Sequence, residues 1–349
     1  MKIIHFDNDD LNNPYGGGGQ AKSTREIFSR LSSKHQITVY TSNYPGAKSE
    51  IIDKILYKRI GIGSLGATVS ILSYWALIPV YAVLNQAKTD VFSEFFTVPV
   101  AVSLLPLSVS KPVVASPSFF NPEEMEKKYK LPFTKITKIL MKKYRFFIAQ
   151  TSHVESKILR YNPKASIKII PRGIENSYFK LRPSEKKYVL YIGRIDIYNK
   201  GLDALLEAWN KVSEKNVKLF IAGNGKDKDL EKVKEIIAKY HLSKKVKYLG
   251  KVQGLEKIKL YSKSLFVVQP SRYETFSNVA LETMASSKAL ICFDIPGLKW
   301  VPLDASIKVP LNDVDMLANS MQILLNDPKR RIDMGKNGRL HAKNYSWDK

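Results

Sequence analysis

Residues 272–285 read RYETFSNVALETMA, a polar turn followed by the apolar face of a helix. Apolar residues recur at helical spacing from Val279 onward, so the stretch predicts a helix that begins between Phe276 and Asn278. The first backbone N–H groups of a helix lack intrahelical partners and carry the positive end of the helix dipole. The stretch therefore predicts an anion site that suits a phosphate group.

Two carboxylates, Glu274 and Glu282, lie on either side of this helix start. If most of the interval is helical, they lie roughly 12 Å apart along the helix axis. Ionised carboxylates accept hydrogen bonds, and two vicinal hydroxyls, such as those of a ribose or a hexose, can bind one carboxylate together. The pair therefore favours a sugar-nucleotide site. A solvated surface pair is the alternative.

Composition places the chain in a broad class. A length of 349 residues and a hydrophobic fraction of 44% fit a globular protein with two domains. The single cysteine, Cys292, excludes an internal disulfide and favours a reducing compartment. The first residues lack the apolar core of a signal peptide, so we expect a cytoplasmic protein. The net charge of +24 favours polyanionic surroundings: anionic lipid, nucleic acid or phosphorylated substrates.

Strand-like runs alternate with helical patterns along the whole chain. In the first half, the predicted strands are Lys2–Phe6, Ile37–Thr41, Val91–Phe92, Pro112–Ala115, Phe146–Ala149 and Ile167–Ile170. The order restarts at Tyr188, so two α/β domains are expected, each with a parallel sheet. Pro183 and its charged flanks place the boundary between residues 179 and 180, giving domains 1–179 and 180–349. A cleft between two such domains is the usual ligand site.

The longest apolar stretch runs from Val69 to Leu84. It contains Pro79 and several polar residues, and it is shorter than the roughly 20 residues needed to cross a bilayer. We interpret it as a buried helix.

Three loops carry further candidate groups. Gly16 to Gly19 follow the first strand and precede a helix, where glycines let a ligand approach the backbone closely. Arg194 and Lys200 follow the strand that ends near Gly193, at the edge where open α/β sheets bind ligands. Gly223 ends another strand. Each loop taken alone is also compatible with an ordinary solvated turn.

Together, these segments resemble the family-4 retaining glycosyltransferases, which have the GT-B fold of two Rossmann-like domains facing across a cleft. The segments that carry the resemblance are GRIDIYNKGLD at 193–203 and the two glutamates with seven residues between them, in RYETFSNVALE at 272–282. The resemblance also covers Thr151–Ser152, residues 169–175 and residues 344–347.

The resemblance implies roles for individual residues. Arg194 and Lys200 would hold the donor diphosphate, Glu274 would contact the transferred sugar, and Glu282 would bind the ribose. Further donor-binding positions are Gly17, Gly18, Gly193, Gly223, Phe276, Ser277 and Asn278. Transfer would retain the anomeric configuration, with no protein nucleophile and with charge stabilisation at the leaving group as the main catalytic effect.

The chain departs from the family pattern at three places. Many relatives carry a histidine on the loop after the strand near Ala115, and Ser118 is the nearest match here. Thr275 follows the first glutamate, where a small and flexible residue is usual. The sequence given ends where relatives begin a crossover helix, which is therefore expected to be absent or cut short.

No metal or other cofactor is expected. Asp7-Asn-Asp-Asp10 resembles the acidic motif of metal-dependent glycosyltransferases, but those have a different fold. A GT-B enzyme neutralises phosphate with cations and helix dipoles. The five histidines show no spacing typical of metal ligands.

The densest block of positive charge lies between residues 127 and 145, which contain eight cations and no acid from Lys127 onward. Apolar residues alternate with these cations at helical spacing and predict a basic amphipathic helix. The membrane candidates within it are Lys135, Lys138, Lys142 and Lys143. A core helix with a solvated basic face is the alternative, and no nucleic-acid-binding pattern is present.

The sequence thus predicts an enzyme that moves a hexose from a UDP- or GDP-sugar to a glycan or a lipid-linked acceptor, on the inner face of a membrane. A non-catalytic protein that binds membranes or polyanions, and a sugar-nucleotide epimerase, are the alternatives. An epimerase would need extra acid and base groups, and the sequence shows no such set.

Overall fold

The computed structural model describes residues 1–16, 18–97, 103–214 and 216–348. They form two compact α/β units that consist mainly of Met1–Arg172 and Gly173–Trp347. The division thus falls earlier than the expected boundary between residues 179 and 180. The physical reason is that Ile174 and Tyr178 are buried in the core of the second unit.

The N-terminal unit alternates strands and helices. Its strands are β1 Lys2–Phe6, β2 Gln36–Ser42, β3 Glu50–Ile52, β4 Ile55–Ile60, β5 Val91–Thr97, β6 Val113–Phe119, β7 Phe146–Ala149 and β8 Ser166–Ile169. Its helices are α1 Gly19–Leu31, α2 Ala67–Asn85, α3 Leu105–Ser108, α4 Pro122–Tyr129, α5 Phe133–Met141 and α6 Ser152–Tyr161, with a 3₁₀ turn at Gln86–Lys88.

These strands form one sheet in the order β3-β4-β2-β1-β5-β6-β7-β8. All pairs are parallel except β3 with β4. The sheet has an apolar cluster on each face. Phe28 of α1 packs in one cluster, whereas α2, α3, α5 and α6 contribute buried residues to the other. The chain therefore covers both faces of the sheet, as parallel strands require.

The C-terminal unit repeats the plan. Its strands are β9 Tyr188–Ile192, β10 Lys218–Ala222, β11 Val246–Gly250, β12 Val267–Gln269, β13 Leu290–Phe293 and β14 Ser306–Val309. Its helices are α7 Ser177–Lys180, α8 Ile197–Lys200, α9 Leu202–Lys211, α10 Asp227–Lys239, α11 Gly254–Lys263, α12 Asn278–Ala285, α13 Val314–Asn326 and α14 Pro328–Ala342, with a 3₁₀ turn at Pro296–Leu298.

The C-terminal sheet is entirely parallel, in the order β11-β10-β9-β12-β13-β14. The chain moves outward from β9 to β10 and β11, and then returns to place β12 on the other side of β9. The carboxyl ends of β9 and β12 therefore form the topological switch point, where doubly wound sheets bind ligands. All five residues of β9 are buried, as in a central strand covered on both faces.

The structure corrects two expectations about the N-terminal unit. The β3–β4 hairpin was not predicted, because β3 is a short edge strand of three residues and β4 alternates polar and apolar residues irregularly. The apolar stretch from Val69 to Leu84 is helical, but the prediction that it is buried is wrong. Only the face that carries Tyr74 and Ile78 is buried against the sheet, whereas Leu72 and Leu84 on its other side are exposed.

Candidate functional site

The loops after β9 and β12 meet at the switch point of the C-terminal sheet. Nζ of Lys200, at the end of α8, lies 2.6 Å from Oε1 of Glu274. Nε2 of Gln269, the last residue of β12, donates to the same oxygen over 2.9 Å. The fold thus brings together two residues that the sequence predicted for the diphosphate and the sugar. Gln269 was missed, although a polar residue at the end of a buried strand is a usable signal.

Helix α12 begins at Asn278, within the predicted interval. Ser277 is the N-cap: its hydroxyl accepts the backbone N–H of Ala280 over 3.1 Å and donates to Oε1 of Gln269 over 2.9 Å. Gln269 therefore joins Glu274 to the start of the helix. Since Glu274 comes shortly before α12 and Gln269 binds both Glu274 and the N-cap Ser277, this region combines a cation, a carboxylate and a helix dipole.

Phe276 has a structural role that the sequence did not reveal. Its ring is 1% exposed and stacks on Trp300 with ring centroids 4.4 Å apart. Its backbone carbonyl accepts the Trp300 indole N–H. This packing holds the backbone just before α12 in place. The backbone N–H of Phe276, which the resemblance predicts to bind the donor, belongs to this segment.

Glu282 is buried on α12, with only 4% of its surface exposed. Lys257 donates to Oε1 over 2.7 Å, and the Tyr261 hydroxyl donates to Oε2 over 2.8 Å. Burial and the charge of Glu282 raise the pKa of Tyr178, which also hydrogen-bonds this carboxylate. Both carboxylate oxygens of Glu282, the residue predicted to bind the ribose, thus have protein partners. The four-residue spacing of Lys257 and Tyr261 on α11 was the available signal for this cluster.

Arg194 points into solvent more than the other predicted cation. Its side chain is 64% exposed and pairs with Asp196 over 3.0 Å. Asp196 caps α8 by accepting the Asn199 backbone N–H over 2.9 Å. Burial alone would raise the pKa of Asp196, but the hydrogen bonds from Asn199 and the charges of Arg194 and Lys200 outweigh it and lower that pKa. Asp196 therefore stays ionised and holds the loop that carries both cations.

Arg272 ties the two loops of the switch point together. Its guanidinium makes two hydrogen bonds to the Asp203 carboxylate, of 2.8 and 2.9 Å. It also donates to the carbonyl of Tyr198 over 2.7 Å, and its backbone N–H donates to the carbonyl of Asn199 over 2.9 Å. Sequence reasoning treated Arg272 only as a turn residue, because its partners lie on α8 and α9, about 70 residues earlier in the chain.

Gly193 and Gly223 lie against each other at the ends of β9 and β10. A Cβ on Gly223 would lie 1.7 Å from the Gly193 carbonyl oxygen, and Gly223 has a φ of +147°. Gly201, with a φ of +65°, leaves the same kind of room for the carbonyl of Pro270. These glycines permit the close approach of backbones that lets the loops meet. Their predicted contact with a donor is additional to this structural role.

In the N-terminal unit, Gly17 lies outside the described residues. Gly18 precedes α1, and its backbone N–H donates to Oδ2 of Asp9 over 3.1 Å. The hydroxyl of Ser118 donates to the carbonyl of Phe96 over 3.3 Å. Ser118 lies within β6 and not on the loop expected after it.

The acidic residues after β1 are engaged by protein partners. Asp10 pairs with Arg59 over 3.1 Å, and the Thr24 hydroxyl and Gln20 amide hydrogen-bond Asp7. Burial raises the pKa of Asp7 to about 7. Within the described ranges, no three histidine, cysteine or acidic side chains form a group that could hold a metal ion.

The membrane candidates on and after α5 are exposed. Lys135, Lys138, Lys142 and Lys143 all point into solvent, whereas Phe133, Thr137 and Met141 face the core. Part of the predicted basic amphipathic segment is therefore helical as α5, with one face in the core and a basic face in solvent.

Comparison with known proteins identifies the C-terminal half. Residues 174–341 match the family described as Glycosyl transferases group 1. An uncharacterized glycosyltransferase of Methanocaldococcus jannaschii is 30% identical over 210 residues, which are 53% of this chain and 52% of that protein. A D-inositol 3-phosphate glycosyltransferase of Corynebacterium efficiens is 25% identical over 53% of this chain and 47% of that protein. The chain spans about half the length of the curated relatives it matches.

Solved structures resemble the chain over its whole length. Sucrose-phosphate synthase from Thermosynechococcus elongatus has a TM-score of 0.84 and 20% identity, covering 100% of this chain and 96% of that one. Anabaena HepE, solved in complex with UDP-glucose, has a TM-score of 0.79 and 15% identity, with the same coverage. At these identities the likeness concerns the fold, and it confirms the predicted α/β GT-B class with two Rossmann-like domains.

Proposed function

Because residues 174–341 match the family described as Glycosyl transferases group 1, we propose that this protein transfers a hexose from a UDP- or GDP-sugar to an acceptor hydroxyl. The observation that carries the proposal is the Lys200–Glu274 pair at the switch point, beside the start of α12. A cation, a carboxylate and helix N–H groups are the groups needed to bind a diphosphate and a sugar next to each other.

The donor diphosphate would bind where positive charge collects. Lys200 and Arg194 supply full charges, and the N-terminus of α12 supplies a partial charge of roughly half a unit. The UDP-glucose complex of Anabaena HepE supports a nucleotide sugar as the donor class.

Donor binding would rearrange the Lys200–Glu274 pair. In the structure the two side chains neutralise each other. A phosphate oxygen would compete for the Lys200 ammonium group, and Glu274 would then accept a hydrogen bond from a sugar hydroxyl. Gln269 would keep Glu274 in place during this exchange, because its amide binds Oε1 of Glu274 independently.

We infer retention of configuration at the anomeric carbon. The bond between that carbon and the leaving diphosphate oxygen breaks, and a bond to the acceptor oxygen forms on the same face of the sugar. The acceptor proton passes to an oxygen of the departing phosphate. Negative charge grows on the diphosphate during this step, so Lys200, Arg194 and the α12 N–H groups would stabilise the transition state more than the ground state.

The nucleotide would be held through its ribose. Glu282 accepts hydrogen bonds from Lys257 and Tyr261. A vicinal diol could take the place of Lys257, whose side chain is 27% exposed and can move into solvent. Tyr261 is fully buried and would continue to orient the carboxylate.

We further propose that the acceptor is a glycan or lipid-linked molecule at the inner face of a membrane. The exposed lysines of α5 support this proposal, since each cation near an anionic bilayer contributes on the order of 1 kcal/mol to binding. A cytoplasmic location fits a nucleotide-sugar donor.

The test is the release of free nucleotide from a panel of UDP-, GDP- and ADP-sugars, with Lys200→Ala and Glu274→Ala as matched controls. We expect one donor to be turned over by the native protein and far more slowly by both variants. NMR of the sugar product then reads the anomeric configuration. Nucleotide binding without nucleotide release from any donor would refute the enzymatic function and indicate a non-catalytic binding protein. Conversion of the donor sugar into its epimer would identify an epimerase.

A thermal-shift series with UDP and GDP identifies the base. A ligand at 100 times its dissociation constant adds roughly 2.7 kcal/mol to the free energy of unfolding. We expect one of the two diphosphates to stabilise the protein and Lys200→Ala to reduce the shift.

A further inference from the structure

The outer side of α2 is an apolar stripe that faces solvent. Leu72 is 56% exposed, Val80 49%, Val83 46% and Leu84 73%. Residues 60–87 contain no acidic, basic or histidine side chain. The most apolar 18-residue window of this helix has a mean hydropathy of 1.7, and only 22% of that window is buried. A helix that is apolar on all sides normally has a partner on all sides.

Helix α2 is firmly attached to the sheet along its inner side. The Tyr74 hydroxyl donates to the carbonyl of Tyr40 over 3.3 Å, and the Ser70 hydroxyl donates to the carbonyl of Asn43. The rings of Tyr40 and Tyr81 lie 5.4 Å apart. Leaving the sheet to cross a bilayer would expose the buried part of Tyr40 and break these hydrogen bonds. The geometry therefore favours a helix, roughly 28 Å long, that stays packed on the sheet. Its outer side is then available for contact with a surface parallel to the helix axis.

The stripe continues onto α3, and α5 covers the same face of the sheet. Leu104 and Leu107, 44% and 55% exposed, extend it onto α3, which packs on α2. Ser103 at the start of α3 hydrogen-bonds Tyr144, just after α5, over 3.1 Å. Buried residues of α2, α3 and α5 belong to one cluster. The exposed leucines of α2 and α3 and the lysines of α5 thus belong to one layer of helices, which covers one face of the N-terminal sheet.

We propose that this layer, α2 with α3 and α5, is a docking surface for an anionic lipid bilayer. The leucines and valines of α2 and α3 enter the boundary between headgroups and acyl chains, and Lys135, Lys138 and Lys142 contact anionic headgroups. This combination of an apolar stripe with neighbouring cations is the pattern of an interfacial helix.

The charge of α5 favours a lipid surface over a second copy of the chain. In a symmetric dimer both partners would present the same patch. A dimer built on this layer would crowd the α5 lysines of both copies into one interface, and juxtaposed like charges are unfavourable. An anionic bilayer complements both features of the layer at once.

The inference deepens the proposed membrane-borne acceptor, but its test requires no sugar. Vesicles of phosphatidylcholine, alone or with about one third phosphatidylglycerol, are floated with the full chain at low and high salt. We expect flotation with the anionic vesicles, weakened by salt. Leu72→Ser combined with Leu84→Ser should reduce binding at least tenfold at both salt concentrations, because the apolar contact does not depend on ionic strength.

A matched control places the same change elsewhere. Leu303 and Leu340 of the C-terminal unit are 74% and 62% exposed, so Leu303→Ser with Leu340→Ser removes a comparable apolar surface from the other unit. This control should float like the native chain. Because all four leucines are exposed, circular dichroism and melting temperature should stay unchanged. Lys135→Glu with Lys138→Glu should remove the preference for anionic vesicles.

Three results would overturn the docking surface. The first is flotation of the α2 variant equal to that of the native chain. The second is a solution dimer that the α2 variant disperses without vesicles, which assigns the stripe to a second copy. The third is resistance of the native chain to alkaline extraction, which identifies a membrane span. Nucleotide release in vesicle-free solution should be equal in all variants, so loss of transfer and loss of docking are distinguishable.

Discussion

The ammonium group of Lys200 lies 2.6 Å from the carboxylate of Glu274, although 74 residues separate them along the chain. Both side chains are largely buried, with 23% and 13% of their surfaces exposed. The contact arises because β9 and β12 are neighbours in the sheet. It places the two groups proposed for phosphate and sugar in one site.

We expect Glu274→Ala to lower kcat by about a hundredfold, on the scale found when one group that stabilises a transition state is removed. Binding of UDP or GDP should change little, because the variant also frees Lys200 to bind phosphate. Single-turnover rates and nucleotide titration measure the two effects. Equal losses in rate and nucleotide affinity would contradict the separate roles of Glu274 and Glu282.

For Glu282, we expect Glu282→Gln to weaken nucleotide binding more than it lowers the rate of the chemical step. Lys257→Met should instead lower the free energy of unfolding by about 3 kcal/mol, since it leaves a buried carboxylate without its counter-charge. Urea unfolding and UDP or GDP titration of both variants separate these outcomes. A Lys257→Met protein of native stability would show that Tyr261 and Tyr178 alone satisfy Glu282.

Arg272 should act as a positioning residue for the cation loop. Arg272→Ala removes the two hydrogen bonds to Asp203, and we expect kcat/KM for the donor to fall ten- to a hundredfold through misplacement of Lys200. Arg272→Lys should fail to rescue, because an ammonium group lacks the planar pair of donors.

The matched control is Arg25→Ala, which removes an exposed ion pair with Asp53 in the other unit. It should leave the donor KM unchanged. If Asp203→Ala has full activity while Arg272→Ala does not, the guanidinium acts by another contact than the one to Asp203.

Glu94 gives the N-terminal unit a dependence on pH. It is fully buried on β5, and burial raises its pKa from 4.5 to about 7, against hydrogen bonds from Tyr144 and Ser103 that lower it. Its folded-state pKa exceeds the unfolded value. The contribution of protonated Glu94 to the free energy of unfolding is therefore complete below pH 4.5, and it is lost as the pH rises to about 7.

Comparison of the native chain with Glu94→Gln isolates this effect. Between pH 5.5 and 6.5, the native protein should lose about 1 kcal/mol of unfolding free energy relative to the variant. Other groups titrate in the same way in both proteins, so their contributions to the difference cancel. One of them is His5, where burial lowers the pKa to about 3. Urea unfolding at the two pH values measures the difference, with Glu231→Gln, at an exposed position of α10, as a surface control. A constant difference would show that Glu94 keeps one charge state throughout.

Much of the fold could be predicted because it depends on local pattern. The start of α12 between Phe276 and Asn278 follows from a polar cap and an apolar repeat within a few residues. The β1, β7 and β9 strands were visible as short apolar runs. The β3–β4 hairpin was missed since β3 is short and exposed at the edge of the sheet, and β4 shows no clear alternation.

The partners of the site residues were much less visible. Lys257 and Tyr261 lie on one side of α11, but no local rule shows that this side meets Glu282. Gln269 and Arg272 gave similarly little signal. Each contact depends on which helices and loops become neighbours once the strands have taken their order in the sheet.

The sequence by itself determined the two α/β domains, the helix start after Glu274 and the cation loop at residues 194–200, because these depend on neighbouring residues. Only the tertiary structure decided that Lys200 pairs with Glu274, that Glu282 is enclosed by α11, and that the apolar α2 keeps one side in solvent. The physical reason is that strand order and the covering of a helix result from packing between distant segments, and composition alone does not specify which segments meet.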